Sequence, residues 1–310
     1  MISQFELKNE LQSNTLTSST VQHPKIVVIT PVKNEAWILD RFLAVTSQFA
    51  DHIIIADQKS TDESKTICKQ YPKITIIENQ SEQFNEGDRQ ILLIQKAREL
   101  VPDNKIIFAL DADEILASNA TKTLGWQSML KAKPGTVLCF EKLNLYSNPY
   151  QCIRYDSLCP IGYVDDGAEH KPQPIHSIRV PTPDYAIKLH INDVKILHYA
   201  PTRLDMQRSK ARLYSVIDRT LPGGNKRFMN RRAYYGLQNC FAVYDGELEP
   251  SLPEWFTGWE DMGIDMYTIP TQTYYWQDFE VLKYFQKYGY HHFWLEDIWD
   301  FDWEAFRLYA

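Results

Sequence analysis

The chain has 310 residues, 44% apolar and 24% charged, with 12 Gly and 16 Pro, which excludes a disordered or collagen-like polymer. That length suits two modest units, or one α/β domain with an elaborated end. A formal net charge of −7 argues against a general nucleic-acid binder, so no nucleic-acid partner is expected.

Residues 1–24 read as a polar leader, Ser/Thr-rich from 8 to 22. They lack a basic stretch followed by an apolar run, so no secretory signal is expected. No run of about 18 apolar residues occurs, so no transmembrane segment is expected either. The five cysteines, Cys68, Cys139, Cys152, Cys159 and Cys240, are odd in number and form no Cys-x-x-Cys pair. They fit a reducing compartment, and a cytoplasmic location is the expectation.

KIVVIT (25–30) is a β-branched apolar run of the kind a buried parallel strand shows. Asn34 stands where a helix cap belongs, before a stripe of Ile38, Phe42, Val45 and Phe49. HIIIAD (52–57) is a second strand, and Ser60 with Glu63 has capping-box spacing for a helix to about Gln70. KITIIE (73–78) is a third strand. A helix over 88–100 follows, with Ile91, Ile94, Ala97 and Val101 on one side. KIIFAL (105–110) is a fourth strand, leading into AspAlaAspGlu at 111–114. A helix over 119–130 and a strand over 136–146 complete this half.

Strands alternating with helices favour a mostly parallel, Rossmann-like sheet with helices on both faces. Its chemistry belongs beyond the carboxyl ends of the strands, at the switch in strand order. If the order is 3-2-1-4, the polar ends of the first and fourth strands are neighbours there. Asp111 and Asp113 share a face at the end of an apolar strand. Two such carboxylates repel unless a cation or donors compensate, and a hard divalent ion shared with substrate phosphates fits them. A solvated acidic turn is the alternative. The first turn, TPVKNEAW, contains neither GxGxxG nor a P-loop. A nucleotide would therefore be held by side chains and metal. Asp57 is either such a side chain or a strand-end turn former.

Four ordered blocks, ValLysAsnGlu at 32–35, Asp57 to Asp62, GlyAspArg at 87–89 and AspAlaAspGlu at 111–114, resemble family 2 glycosyltransferases of the GT-A fold. Within that family the resemblance is to lipopolysaccharide core and other cell-surface glycan transferases. It is strong over residues 25–118 and thin beyond 150. It implies that Pro31, Val32 and Glu35 surround the base and ribose of a donor nucleotide, that Asp57 accepts a hydrogen bond from the base, and that Arg89 organises the donor pocket. It places Asp111 near ribose and metal, Asp113 as the metal ligand, and Glu114 as a brace for the loop. It assigns His198 to complete the metal site, a role for which His190 competes. The implied activity is a Mn²⁺- or Mg²⁺-dependent inverting transfer from a UDP- or GDP-sugar to a hydroxyl of a glycan or glycoconjugate. A catalytically inactive glycan-binding or scaffold protein is the alternative from another class. A sugar-phosphate nucleotidyltransferase is disfavoured by the missing Gly/Arg-rich loop.

The general base is expected in the loop-rich segment 162–190, which offers Asp165, Asp166, Glu169 and Asp184. Glu169 is preferred, with Asp166 next, while His170 and His176 read as loop or acceptor contacts. The catalytic domain is expected over 25–202, with its donor side at 25–118 and its acceptor side at 136–202. A mostly helical extension packed on it covers 203–310. Arg203 to Arg232 holds nine basic residues against Asp205 and Asp218. Arg208, Lys210 and Arg212 either face the diphosphate or form a solvated basic face. The turn 221–228 could close over the donor. Residues 245–310 reverse the sign, with 14 acidic residues against Lys283, Lys287 and Arg307, and carry six of the eight tryptophans. Those aromatics suit packing, a homo-oligomer contact or glycan stacking.

Overall fold

The computed structural model describes residues 23–79, 85–154, 157–222, 224, 227–237 and 246–309. Most of the polar leader, Cys240 and part of the 221–228 turn lie outside the described residues. The donor side runs β1 (Lys25–Val32), α1 (Ala36–Thr46), β2 (His52–Asp57), α2 (Ser64–Cys68), β3 (Ile74–Glu78), α3 (Glu86–Leu100) and β4 (Lys105–Ala109). These strands are parallel, in the order β3-β2-β1-β4. In β1, Ile26 and Val28 face the core under α1, whereas Val27 and Ile29 face the core under α3. Both faces of a central strand are thus apolar, which is why the run carries no alternation.

Beyond β4 the sheet becomes mixed. β5 (Glu114–Leu116), α4 (Leu124–Leu130), β6 (Val137–Leu145), β7 (Gln151–Arg154), β8 (Cys159–Val164) and β9 (Lys188–His198) follow in the chain. β8 lies antiparallel between β4 and β6, while β9 runs parallel to β6 on its other side and pairs with β5. Register brings Glu114 and Asn144 each opposite His198.

Two local expectations change. Asn34 does not cap α1. It adopts a φ of 55°, and its side-chain oxygen accepts from Thr61 N at 2.7 Å, tying the first polar turn to the second. Ser60 and Ser64 return the favour by accepting from the backbone N–H of Asn34 and Glu35 at 2.9 and 3.0 Å. Because those hydroxyls are engaged there, the helix expected from Ser60 starts only at Ser64. The α4 region likewise begins with a 3-10 turn, and Thr123 caps the helix proper.

The remainder comprises α5 (Leu204–Thr220), α6 (Phe228–Tyr235), β10 (Leu248–Pro250), α7 (Thr257–Glu260), α8 (Trp276–Tyr288) and α9 (Trp303–Tyr309). Trp255, Phe256 and Trp259 enter the main core, and Trp259 Nε1 donates to Leu116 O at 2.8 Å. A second core joins α5, α8 and α9 through Leu213, Val216, Leu282, Phe285, Trp303 and Phe306.

The opposed charge blocks meet within the chain. Arg208 donates to both carboxylate oxygens of Asp300 at 2.8 and 2.6 Å. Arg212 does the same to Asp278 at 2.8 Å for each bond, and Arg231 is buried against Glu296. Arg208 and Arg212, four apart, share the helix face that looks at the acidic tail. Neither faces the diphosphate region, as one sequence reading had them. Lys210, turned roughly 200° about the axis from Arg208, lies on the other side. Much of the aromatic density is likewise spent on packing, although Trp294 and Trp299 stay exposed.

Candidate active site

A cavity of about 660 Å³ opens where β1 and β4 end side by side, with Pro31, Ala109 and Asp111 in its wall. This is the switch point of the parallel half, where β1 sends its chain to β2 on one side and has β4 on the other. Arg89, Lys142, Arg179, Lys210 and His198 also line it. Four of these, Arg89, Lys142, Arg179 and Lys210, are cations, a concentration that favours an anion in a chain of net charge −7.

Asp111 brings the AspAlaAspGlu turn to this wall, with the rest of the turn buried behind it. Glu114 is completely buried and is gripped by Arg179 through both guanidinium amines, with Lys142 at 3.3 Å. Burial alone would raise its pKa, but these two cations hold the carboxyl well below the usual range. Glu114 therefore braces the turn, as the resemblance implied. Its carboxylate also accepts from the backbone N–H of Asp111 at 3.1 Å. Arg179 reaches on to Asp111 at 2.9 Å, and it is held charged by Asp111 and Glu114 against the opposing effect of burial.

Asp113 is buried, and its Oδ1 has no hydrogen-bond partner among the described residues. Facing it at 3.9 Å is His198 Nε2, while His198 Nδ1 contacts the Asn144 side-chain oxygen at 2.7 Å. An amide oxygen only accepts, so Nδ1 carries the proton and Nε2 a lone pair. Burial, then Lys142, keep the imidazole neutral by holding its titration well below the ordinary value. Burial, with Asp111 and Glu114, raises Asp113 to about 6 against the lowering influence of Lys210. Two lone pairs opposed across 3.9 Å without a donor between them form half a cradle for a cation. Among the described residues no group of three or more His, Cys, Asp or Glu is arranged to hold a metal ion. Such an ion would need further ligands from outside the chain.

Glu35 enters from the first turn and accepts from Trp37 Nε1 at 2.7 Å. Burial and then Asp113 push it up to about 8, so its carboxyl is protonated at neutral pH. Asp57 sits at the end of β2, where its Oδ2 accepts from Ser60 N at 3.2 Å and meets Lys65 at 3.3 Å. Its buried Oδ1 lacks a partner among the described residues. The Ser60 contact is the strand-end turn expected as one reading of Asp57. Val32 directs its side chain into the core, leaving only its backbone for a ligand. Arg89 lines the cavity, with its Nε buried and unpartnered among the described residues.

The expected bases do not reach this cavity. Since β8 runs antiparallel to β4, Val164 pairs with Ile106 at the amino end of β4. Asp165 and Asp166 therefore emerge at the opposite end of the sheet from Asp111. Asp165 is consumed by Arg98 at 2.7 Å and Lys105 at 3.2 Å, and Asp166 by Tyr163 and Tyr185. The loop then climbs along α3. Ala168 O meets Arg98 at 2.8 Å, His170 meets Gln90 at 2.9 Å, and Pro174 O meets Glu86 N at 2.9 Å. Glu169, between these, is exposed and outside the cavity wall. Gly87 is needed for the climb, because a Cβ there would stand 2.9 Å from Pro172 Cγ and 3.0 Å from Gln173 O. The loop enters the cavity only at His176–Arg179. Arg179, Lys142 and Asn144 were not singled out in the sequence. They lie far from the motifs along the chain, and only strand register brings them together.

Residues 27–125 match the sequence family described as Glycosyl transferase family 2. With the mixed sheet and its β3-β2-β1-β4 core, the architecture is an α/β, Rossmann-like GT-A fold. That family match covers less than half of the chain, running from β1 into α4. No curated protein sequence matches the chain. Among solved structures, 4-diphosphocytidyl-2C-methyl-D-erythritol synthase is similar at 14% identity over 39% of this chain and 61% of that one, with a TM-score of 0.29. Glucosyl-3-phosphoglycerate synthase from Mycobacterium tuberculosis, in complex with Mn²⁺, UDP and glucosyl-3-phosphoglycerate, is similar at 14% identity over 39% of this chain and 44% of that one, also with a TM-score of 0.29. The chain thus spans less than two thirds of either. No helix among the described residues is long and apolar enough to cross a membrane.

Proposed function

We propose that the protein is an inverting glycosyltransferase that moves a sugar from a UDP- or GDP-sugar to a hydroxyl of a cell-surface glycan or glycoconjugate, of the lipopolysaccharide-core kind, with Mn²⁺ or Mg²⁺ as cofactor. The observation that carries this reading is the buried Oδ1 of Asp113, which has no hydrogen-bond partner among the described residues and faces His198 Nε2 at 3.9 Å, where His198 lines a cavity with Arg89, Lys142, Arg179 and Lys210.

Asp113 and His198 would hold the divalent ion, with diphosphate oxygens and water completing its shell. When bound, the ion supplies Lewis-acid stabilisation of the charge that develops on the leaving diphosphate. Arg179 and Lys210 add fixed positive charge, and Glu114 fixes Arg179 so that it need not reorganise during the reaction. Asn144 fixes the tautomer of His198. The open acceptor on Asp57 takes a donor from the base. The acceptor hydroxyl then attacks the anomeric carbon from the side opposite the leaving group.

A screen of UDP-, GDP- and dTDP-sugars with Mn²⁺ and Mg²⁺, read as sugar-nucleotide consumption, tests the proposal. Cation-dependent release of nucleoside diphosphate that Asp113→Ala abolishes supports it. Release unaffected by that substitution contradicts it.

A further inference from the structure

We propose that His176 takes the proton of the acceptor hydroxyl, and that Tyr235 and Asp218 are positioning residues that hold its tautomer. The proposal rests on the glycosyltransferase reading above and fills the place that Glu169 and Asp166 leave vacant.

His176 lies in the cavity wall three residues before Arg179, so the two Cα atoms are at most about 11 Å apart. Its backbone φ of 56° is in the left-handed region, which few non-glycine residues occupy and which tends to persist at functional sites. The ring is held between two tyrosines, with centroids 5.8 Å from Tyr214 and 6.0 Å from Tyr235. His176 is nevertheless an exposed residue.

Proton inventory then decides the tautomer. His176 Nε2 bonds the Tyr235 hydroxyl, which bonds Asp218 Oδ2 at 3.1 Å. A phenol has one proton, and a carboxylate can only accept. Burial and Asp218 hold Tyr235 far above its ordinary titration range, so it keeps that proton. Tyr235 therefore donates to Asp218 and accepts from Nε2–H. This leaves the lone pair of an unprotonated imidazole on Nδ1, which has no partner among the described residues.

The charged and titratable groups around the ring come from three helices. Glu86 of α3 accepts from the Tyr214 hydroxyl at 3.1 Å and from the Ser177 backbone N–H at 3.1 Å. Tyr214 and Asp218 belong to α5 and Tyr235 to α6, while Arg89 and Lys210 line the same cavity.

In the step, the acceptor oxygen forms a bond to the anomeric carbon as the bond from that carbon to the diphosphate oxygen breaks. The bonding pair leaves with the diphosphate. The hydroxyl proton goes to Nδ1 of His176, giving an imidazolium whose Nε2–H remains on Tyr235, and the proton is later released to solvent.

The test compares wild type, His176→Gln and Tyr235→Phe. UDP and GDP binding with Mn²⁺ is measured by calorimetry, sugar-nucleotide consumption is followed from pH 5 to 9, and the ring nitrogens are examined by NMR. His176→Gln should bind the diphosphate within about twofold of wild type yet lose about 100-fold or more in consumption. Tyr235→Phe should lose less and shift the acid limb of the pH profile. Wild-type spectra should show the proton on Nε2. If His176→Gln keeps more than a third of the wild-type rate, or the proton sits on Nδ1, the assignment of His176 is overturned. The NMR result decides this even where the turnover of a given donor is too slow to follow. Absence of any diphosphate binding by wild type would instead overturn the glycosyltransferase reading.

Discussion

Arg212→Met tests whether the acidic tail is held to α5 by buried charge. Arg212 and Asp278 are 4% and 1% exposed. Asp278 receives Arg212 Nε and Nη2 at 2.8 Å each and the Ser209 hydroxyl at 2.7 Å. After substitution the carboxylate keeps only the Ser209 hydroxyl among its described side-chain partners. Removing one member of a buried pair costs roughly 3–5 kcal/mol, most of it from the charge left behind. Methionine conserves most of the volume, so a cavity contributes little. At about 2 °C per kcal/mol for a chain of this size, the melting midpoint should fall by roughly 6–10 °C. The double variant Arg212→Met/Asp278→Leu removes both charges. It should recover a large part of the loss, with a coupling of about 2–3 kcal/mol. Urea unfolding of the four proteins gives the cycle. A loss below about 1 kcal/mol for the single variant, or a double variant no more stable than it, would refute the argument.

The pH dependence of stability gives a second expectation. Burial, then Arg98, push His170 down to about 4, against roughly 6.5 in an unfolded chain. As pH falls the unfolded chain takes up its proton first, so the contribution is complete above about 6.5 and is lost as pH falls toward 4, by at most about 3 kcal/mol. His170→Gln should flatten that part of the stability–pH curve; an unchanged slope would show that His170 does not titrate this way. Arg179→Met leaves the buried Glu114 with Lys142 and should cost roughly 2–4 kcal/mol in urea unfolding. The same variant should weaken binding of UDP or GDP with Mn²⁺ about tenfold or more in calorimetry. Arg179→Lys should fall between, because an ammonium cannot grip Glu114 with two parallel bonds. Unchanged stability in Arg179→Met would contradict the role of Arg179 as the brace of the turn.

The donor half was legible because its signals are local. The apolar run before Asp111 is a central strand with both faces buried, and the order β3-β2-β1-β4 follows from right-handed crossovers of short βα units. His198 could be read from the resemblance, but the Asn144 side chain that orients it depends on β6–β9 register. The acceptor half misled for the same reason. Glu169 and then Asp166 were preferred among four carboxylates in one loop, yet the antiparallel course of β8 sends Asp165 and Asp166 to the far end of the sheet. Helical spacing in α5 contained the answer for Lys210 against Arg208 and Arg212, but which face met the tail depended on where α8 packs. The opposed charge blocks, visible in composition, acquire a reason in the ion pairs that join them.

The most direct measurement is the thermal midpoint of the wild-type chain and of Asp113→Asn with UDP or GDP, with and without Mn²⁺ or Mg²⁺. A ligand at 100 times its dissociation constant stabilises a folded protein by about 2.7 kcal/mol. The wild type should therefore gain several degrees only when nucleotide and cation are both present. Asp113→Asn should lose that gain while melting normally without ligand. No stabilisation of the wild type by either nucleotide with either cation, or an equal gain in Asp113→Asn, would contradict the account.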